Sequence, residues 1–203
     1  MRKIFCIVLM VLVSFAVVAQ EENELRGLNV LFGYSGVTNE KQDVLIAGFS
    51  YSFNETWSGG LKSGVVFEQP DAPADPASVN ALVGIFAGYS WDLNKITLGS
   101  DFVIGENFIT EIYVGYERAM LTSAPLIIVP ALSLKYAFAE VSDMSLHKIS
   151  VSPGLTFVKN RCIFNPSLTI PIMMKLGDNE YFTRDSVVFP DKIGLTLIFG
   201  YQF

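Results

Sequence analysis

Eight charged side chains occupy positions that alternate with apolar ones along the chain: Lys62, Glu68, Asp101, Glu111, Glu117, Lys135, Lys148 and Lys175. Four acids against four lysines on one face of a sheet can do two things. They can neutralise one another as a buried ion-pair network, or they can line a narrow polar passage for small solutes. The even balance of signs argues against strong ion selectivity. Catalytic arrangements are scarcer. His147 is the only histidine, so no multi-histidine metal site can form and no other histidine base exists. Ser150 lies three residues on, and an odd offset on a strand puts the two on opposite faces. Ser145 shares the parity of His147, but both would sit at a loop rim. There is no Gly-x-Ser-x-Gly elbow. The stretch EQPDAPADPAS offers Glu68, Asp71 and Asp75 as oxygen ligands for calcium, yet its prolines, alanines and irregular acid spacing fit no EF-hand loop. It reads as an extended, solvated surface loop. The expectation is no enzyme, no metal and no cofactor.

The N-terminal stretch MRKIFCIVLMVLVSFAVVA begins with Arg2 and Lys3 and continues as an uncharged apolar run from Ile4 to Ala19. Val17 and Ala19 occupy the small-residue positions of a cleavage site, so residues 1–19 read as a secretory signal peptide and 20–203 as the mature domain. The run is short for a bilayer-spanning helix, which needs roughly 20 apolar residues. Gln20, Glu21, Glu22 and Glu24 follow it instead of a basic flank. Cys6 leaves with the signal. Cys162 then stands alone, so no intramolecular disulfide is possible, and it reads as a small residue in a turn. Loss of Arg2 and Lys3 moves the formal charge from −6 to −8. An acidic export product of this kind is a poor nucleic-acid binder.

The elements that must position the charges follow a two-residue alternation. Ten strands are predicted: Leu28–Val37, Val44–Phe53, Trp57–Glu68, Val79–Trp91, Ile96–Ile104, Phe108–Arg118, Leu126–Phe138, Lys148–Val158, Ile163–Lys175 and the closing GLTLIFGYQF. An even number lets a barrel close with both termini on one side. Short links such as NET and DLNK alternate with longer polar ones such as TNEKQD, QPDAPADPAS, AEVSDMSLH and GDNEYFTRDSVVFPD. The GEN and AMLTSAP links break this rhythm. Pro130, Pro153, Pro166 and Pro171 each remove a ladder donor, which leaves an eight-strand barrel open as the alternative.

One face of these strands is aliphatic and aromatic, with Arg118 as its only charge, placed at a strand end. The other is mostly glycine, serine, threonine and asparagine, too small and too weakly charged to face water. Only 17% of the chain is charged, below the usual quarter for soluble domains. The polar face therefore points into a narrow barrel and the apolar face outward. Aromatic residues gather in two belts. Phe53, Trp57, Tyr89, Trp91, Tyr116, Tyr201 and Phe203 lie near the short links, and Tyr34, Phe67, Tyr136 and Phe138 near the long ones, as at the two interfaces of a membrane.

With these belts and the closing GLTLIFGYQF, the chain resembles a small bacterial outer-membrane β-barrel protein, of the OmpA/OmpX-like superfamily in general form and of its Bacteroidetes members in style. The resemblance covers the whole mature chain. It implies an all-β, antiparallel up-and-down transmembrane barrel in a Gram-negative cell envelope, integral in outer-membrane lipid, with both termini periplasmic. It also implies insertion by the barrel assembly machinery, which would read Tyr201 and Phe203 at the end of the last strand. The role expected is structural or loop-mediated interaction, with the lumen plugged by the polar and charged side chains of the inner face. The alternatives are a porin-like passive pore for small solutes and a soluble periplasmic ligand-binding barrel with its apolar face inward. Barrel-type lipid A deacylases carry a His-x-Ser pair that this chain lacks.

Overall fold

The computed structural model describes residues 27–37, 42–68, 78–105, 108–121, 126–141, 144–176, 179–180 and 192–203. The predicted signal segment and the loop acids Asp71 and Asp75 lie outside the described residues. Twelve strands follow one another: β1 Leu28–Val37, β2 Gln42–Ser52, β3 Trp57–Glu68, β4 Ser78–Trp91, β5 Asn94–Ile104, β6 Ile109–Arg118, β7 Met120–Leu121, β8 Leu126–Val141, β9 Met144–Lys159, β10 Cys162–Leu176, β11 Asn179–Glu180 and β12 Gly194–Gln202. Ten of them form one antiparallel ring, β1 through β6, then β8, β9, β10 and β12, which pairs back onto β1. The two-residue strands are appendages: β7 extends the β6–β8 hairpin and β11 pairs with the end of β10.

Closure rests on nine residue pairs between β1 and β12, from Asn29↔Gln202 to Val37↔Gly194. The last residues are bonded on both sides: Gln202 N–H donates to the Arg161 carbonyl at 2.8 Å and Phe203 N–H to the Leu28 carbonyl at 2.9 Å. A ring satisfied in this way has no open edge.

The turns at the end that carries the described termini are short, for local reasons. Asn54 Oδ1 accepts from the backbone N–H groups of Thr56 and Trp57 at 2.9 and 2.7 Å, a side-chain-closed turn. Asn160 and Arg161 both take left-handed backbone (φ 49° and 68°), the conformation of a type I′ two-residue hairpin. The AMLTSAP link is shorter than its sequence implies, because Met120 and Leu121 still pair with Ile128 and Ile127.

At the opposite end, one expectation is corrected. The AEVSDMSLH stretch is not a long loop: β8 and β9 pair without interruption from Leu126↔Lys159 to Val141↔Met144. The prolines are accommodated within the ladders. Pro130, Pro153 and Pro166 keep register with Leu155, Leu132 and Leu197. Only at Pro171 does the β9–β10 register shift, as a bulge before Met173. The ten strands of the ring differ in length, from nine residues in β12 to sixteen in β8 and β9.

Burial is inverted relative to a water-soluble domain. Val79, Ile85 and Leu98 are 58%, 56% and 60% exposed, while Asn80, Asp101, Lys148, Ser150 and Ser152 are buried. On β4 the outward residues run Val79, Ala81, Val83, Ile85, Ala87, Tyr89 and Trp91 without a charge. A small buried apolar cluster lies inside the ring near the long-link end, Ala137, Ala139, Leu146 and Met174, with Ile109 packed against them, and Val66 and Leu82 are buried apart from it.

Candidate functional site

The inward positions of neighbouring strands line up in register, and the charges occupy one such row. Lys62 on β3 pairs with Gly84 on β4, Gly84 with Asp101 on β5, and Asp101 with Glu111 on β6. Gly84 lets this row work. A β-carbon there would collide with Asp101 Oδ1 and Lys62 Cε, so the missing side chain lets Lys62 reach across β4. Lys62 Nζ lies 2.6 Å from Asp101 Oδ2. The same ammonium sits 4.6 Å from the centroid of the Tyr113 ring, and the ring lies over Gly99, where a β-carbon would also collide. Lys135 on β8 closes the group, with Nζ 3.4 Å from Glu111 Oε1.

The other predicted lumen charges fall elsewhere. Lys148 is buried on β9, one strand past Ala137 in register and beside Met174. Glu117 faces Lys95 in the β5–β6 register near the short turns and lines the cavity wall. Glu68 ends β3 in register with Gln42 and Ser78, and its side chain lies outside the described residues. Lys175 is a correction: it does not join the lumen. Past the Pro171 bulge the parity of β10 reverses, Met174 turns inward at 5% exposure, and Lys175 pairs in register with His147. His147 belongs to the outer face, where its Nδ1 lies 2.6 Å from Tyr136 Oη and its ring packs against Tyr136 and Phe138.

Opposite the charged row, the inner wall is built of hydroxyls and an amide. Ser152 and Thr169 are bonded at 3.0 Å, Ser35 and Thr196 at 2.8 Å, and Asn165 Nδ2 donates to Thr156 Oγ1 at 2.5 Å. Between the two walls lies a cavity of about 420 Å³, which also touches Val44, Ile46, Val66, Leu82 and Val103 toward the long-link end. These inward aliphatic residues escaped sequence reasoning, which sought apolar side chains only on the outside. Their signal was present as Val44, Ile46, Leu82 and Val103 at polar-face parity.

The expected belt aromatics are exposed, except Phe67, Phe138 and Phe203, which are half-buried. At the short-turn end, Trp57 and Tyr89 meet edge to face at 5.0 Å, Tyr89 and Trp91 stack at 5.9 Å, and Tyr201 meets Phe203 at 5.0 Å. Phe53 is exposed there, and Tyr116 Oη donates to Asn94 Oδ1 at 2.7 Å. At the far end, Tyr34 Oη donates to Asp43 Oδ1 at 2.5 Å, while Phe67 and Phe138 are half-buried. Among the described residues, outward charge on the ring strands is confined to their ends: Asp43, Glu140 and Lys175 at one end, and Arg118 and Lys159 at the other. Cys162 is free and exposed beside the Asn160–Arg161 turn.

No protein-family model and no curated protein sequence matches the chain. Among solved structures, the chain is similar to the β domain of the Bordetella autotransporter BrkA, with 13% identity and a TM-score of 0.43, over 87% of this chain and 99% of that one. At that level the likeness is too loose to carry function from one to the other.

Proposed function

We propose that the chain is an integral outer-membrane β-barrel protein whose outer face is solvated by lipid. The observation that carries this reading is the inversion of burial: large aliphatic and aromatic side chains stand exposed all round the ring while Asp101, Lys148 and serines are buried. Monomeric soluble proteins rarely expose apolar patches beyond a few hundred Å². In hydrocarbon, by contrast, a closed ring is one of only two backbone arrangements that satisfy every peptide group. The longer strands fit. At about 3.3 Å per residue and a tilt near 45°, a fourteen-residue strand such as β4 rises roughly 33 Å, enough to carry an apolar band of about 25 Å and two aromatic belts.

On this reading the job of the barrel is structural or interactive, with the stretches QPDAPADPAS and GDNEYFTRDSVVFPD as its outward surface and both termini periplasmic. The paired charges stiffen the interior. Insertion by the barrel assembly machinery, with Tyr201 and Phe203 in the recognised strand, is part of the same proposal. A passive pore is the second reading, favoured by the cavity, and planar-bilayer conductance separates the two.

The first test is fractionation of expressing cells, followed by electrophoresis of the membrane protein unheated and boiled. Recovery in the outer membrane with a heat-dependent mobility shift supports the reading. Recovery in the soluble periplasm overturns it.

A further inference from the structure

We infer that the cavity binds a small zwitterion bearing one apolar group, of the size of a free amino acid; the inference rests on the lipid-facing reading, which leaves the interior as the aqueous compartment. Two ion pairs meet the cavity, and they differ. Lys62 and Asp101 are close, at 2.6 Å, with the acid's side chain 11% exposed. Lys135 and Glu111 stand 3.4 Å apart, longer than a good charge-assisted bond, and each leaves about a quarter of its side chain exposed inside the ring, at 25% and 28%. The second pair is thus loosely made and open to a third party. One inward step from Glu111 along β6 is Ile109, and Ile109 pairs in register with Val103. Both line the cavity. An opposed pair of charges therefore adjoins a patch of aliphatic wall.

The choice of ligand follows from what this juxtaposition rejects. A simple anion drawn to Lys135 would have to sit beside Glu111 and Asp101. A simple cation drawn to Glu111 would have to sit beside Lys135 and Lys62. A neutral apolar molecule would strip water from both charges and return nothing. A zwitterion puts its carboxylate on Lys135 and its ammonium on Glu111, and its side group covers Ile109 and Val103. The volume of about 420 Å³ lies within the range of small-molecule sites.

Three isosteric probes test this: L-phenylalanine, 3-phenylpropionate, which lacks the ammonium, and 2-phenylethylamine, which lacks the carboxylate. Binding to the full mature chain in lipid nanodiscs is followed by saturation-transfer NMR and titration, on preparations that show the heat-dependent mobility shift. L-Phenylalanine is expected to bind about tenfold or more tightly than either singly charged probe, the loss expected for one charge-assisted contact. Gly115→Phe projects a ring into the cavity from a position where a β-carbon meets nothing closer than 3.6 Å, and should abolish the signal. Lys135→Met should weaken binding at least tenfold and serves if Gly115→Phe does not fold. Equal binding of the three probes, binding of none, or binding untouched by these variants overturns the inference while leaving the membrane reading intact. Failure of the wild-type chain to enter lipid overturns the membrane reading instead.

Discussion

Asp101 and Glu111 face each other directly across the β5–β6 ladder, two carboxylates at one inward step. Like charges so opposed repel. Here each is answered from the opposite side, Asp101 by Lys62 across the gap left by Gly84 and Glu111 by Lys135. The group is therefore a chain of four charges in which every member has an opposite neighbour, and its parts depend on one another.

Removing one member should cost more than removing two. Lys62→Met removes the ion-pair partner of buried Asp101 and leaves it beside Glu111, a loss of about 3–5 kcal/mol. Lys62→Met combined with Asp101→Leu should recover most of it. Urea titration of the barrel refolded in lipid vesicles, read by the folded band on an unheated gel, gives the coupling. Strict additivity of the two single losses would show that the pair is not coupled.

Gly84→Ala should destabilise by about 1–3 kcal/mol, because the new methyl displaces both partners of the ion pair. Gly115→Ala is the control. Its β-carbon finds only ordinary contacts, so its loss should be a few tenths of a kcal/mol, the scale of an unremarkable substitution. The same titration distinguishes them, and equal losses would remove the special role of Gly84.

Arg161→Gly should stabilise by roughly 1 kcal/mol, since Arg161 holds a left-handed backbone that glycine adopts without cost. The unfolding midpoint should rise with unchanged slope. A fall would mean that the arginine side chain contributes more than the turn strain removes.

Trp57 and Trp91 are the only tryptophans, both outward and both near the short turns. In vesicles of brominated phosphatidylcholine, quenching should be stronger with bromines near the headgroup than with bromines deep in the acyl chain. Efficient quenching by aqueous iodide, with none by brominated lipid, would argue that this belt faces water.

The ten strands were legible in the sequence because outward aromatic and aliphatic residues contrast with inward glycine and serine at most steps. The reading failed where that contrast faded. Ala137, Ala139 and Leu146 are apolar yet inward, so the tip of the β8–β9 hairpin looked like loop. Lys175 was assigned inward by counting parity from Phe164, and the bulge at Pro171 inserts one residue into that count. The pairing of Lys62 with Asp101 was beyond reach for another reason. It depends on cross-strand register over Gly84, and no single strand records its neighbour's register.

The uneven strand lengths have a consequence for the surrounding bilayer. By the same rise, the nine residues of β12 climb only roughly 21 Å, whereas the sixteen of β8 and β9 climb about 37 Å. For a ring that spans a bilayer as proposed, hydrophobic thickness varies around the circumference, and lipids beside the shorter strands, β12 above all, must shorten or the barrel axis must cant. Such a barrel, lowest at β12, carries its own membrane dimple. Two copies meeting low side to low side share one dimple instead of making two, so self-association should strengthen as the acyl chains of the host lipid lengthen, a trend that cross-linking in a lipid series would expose.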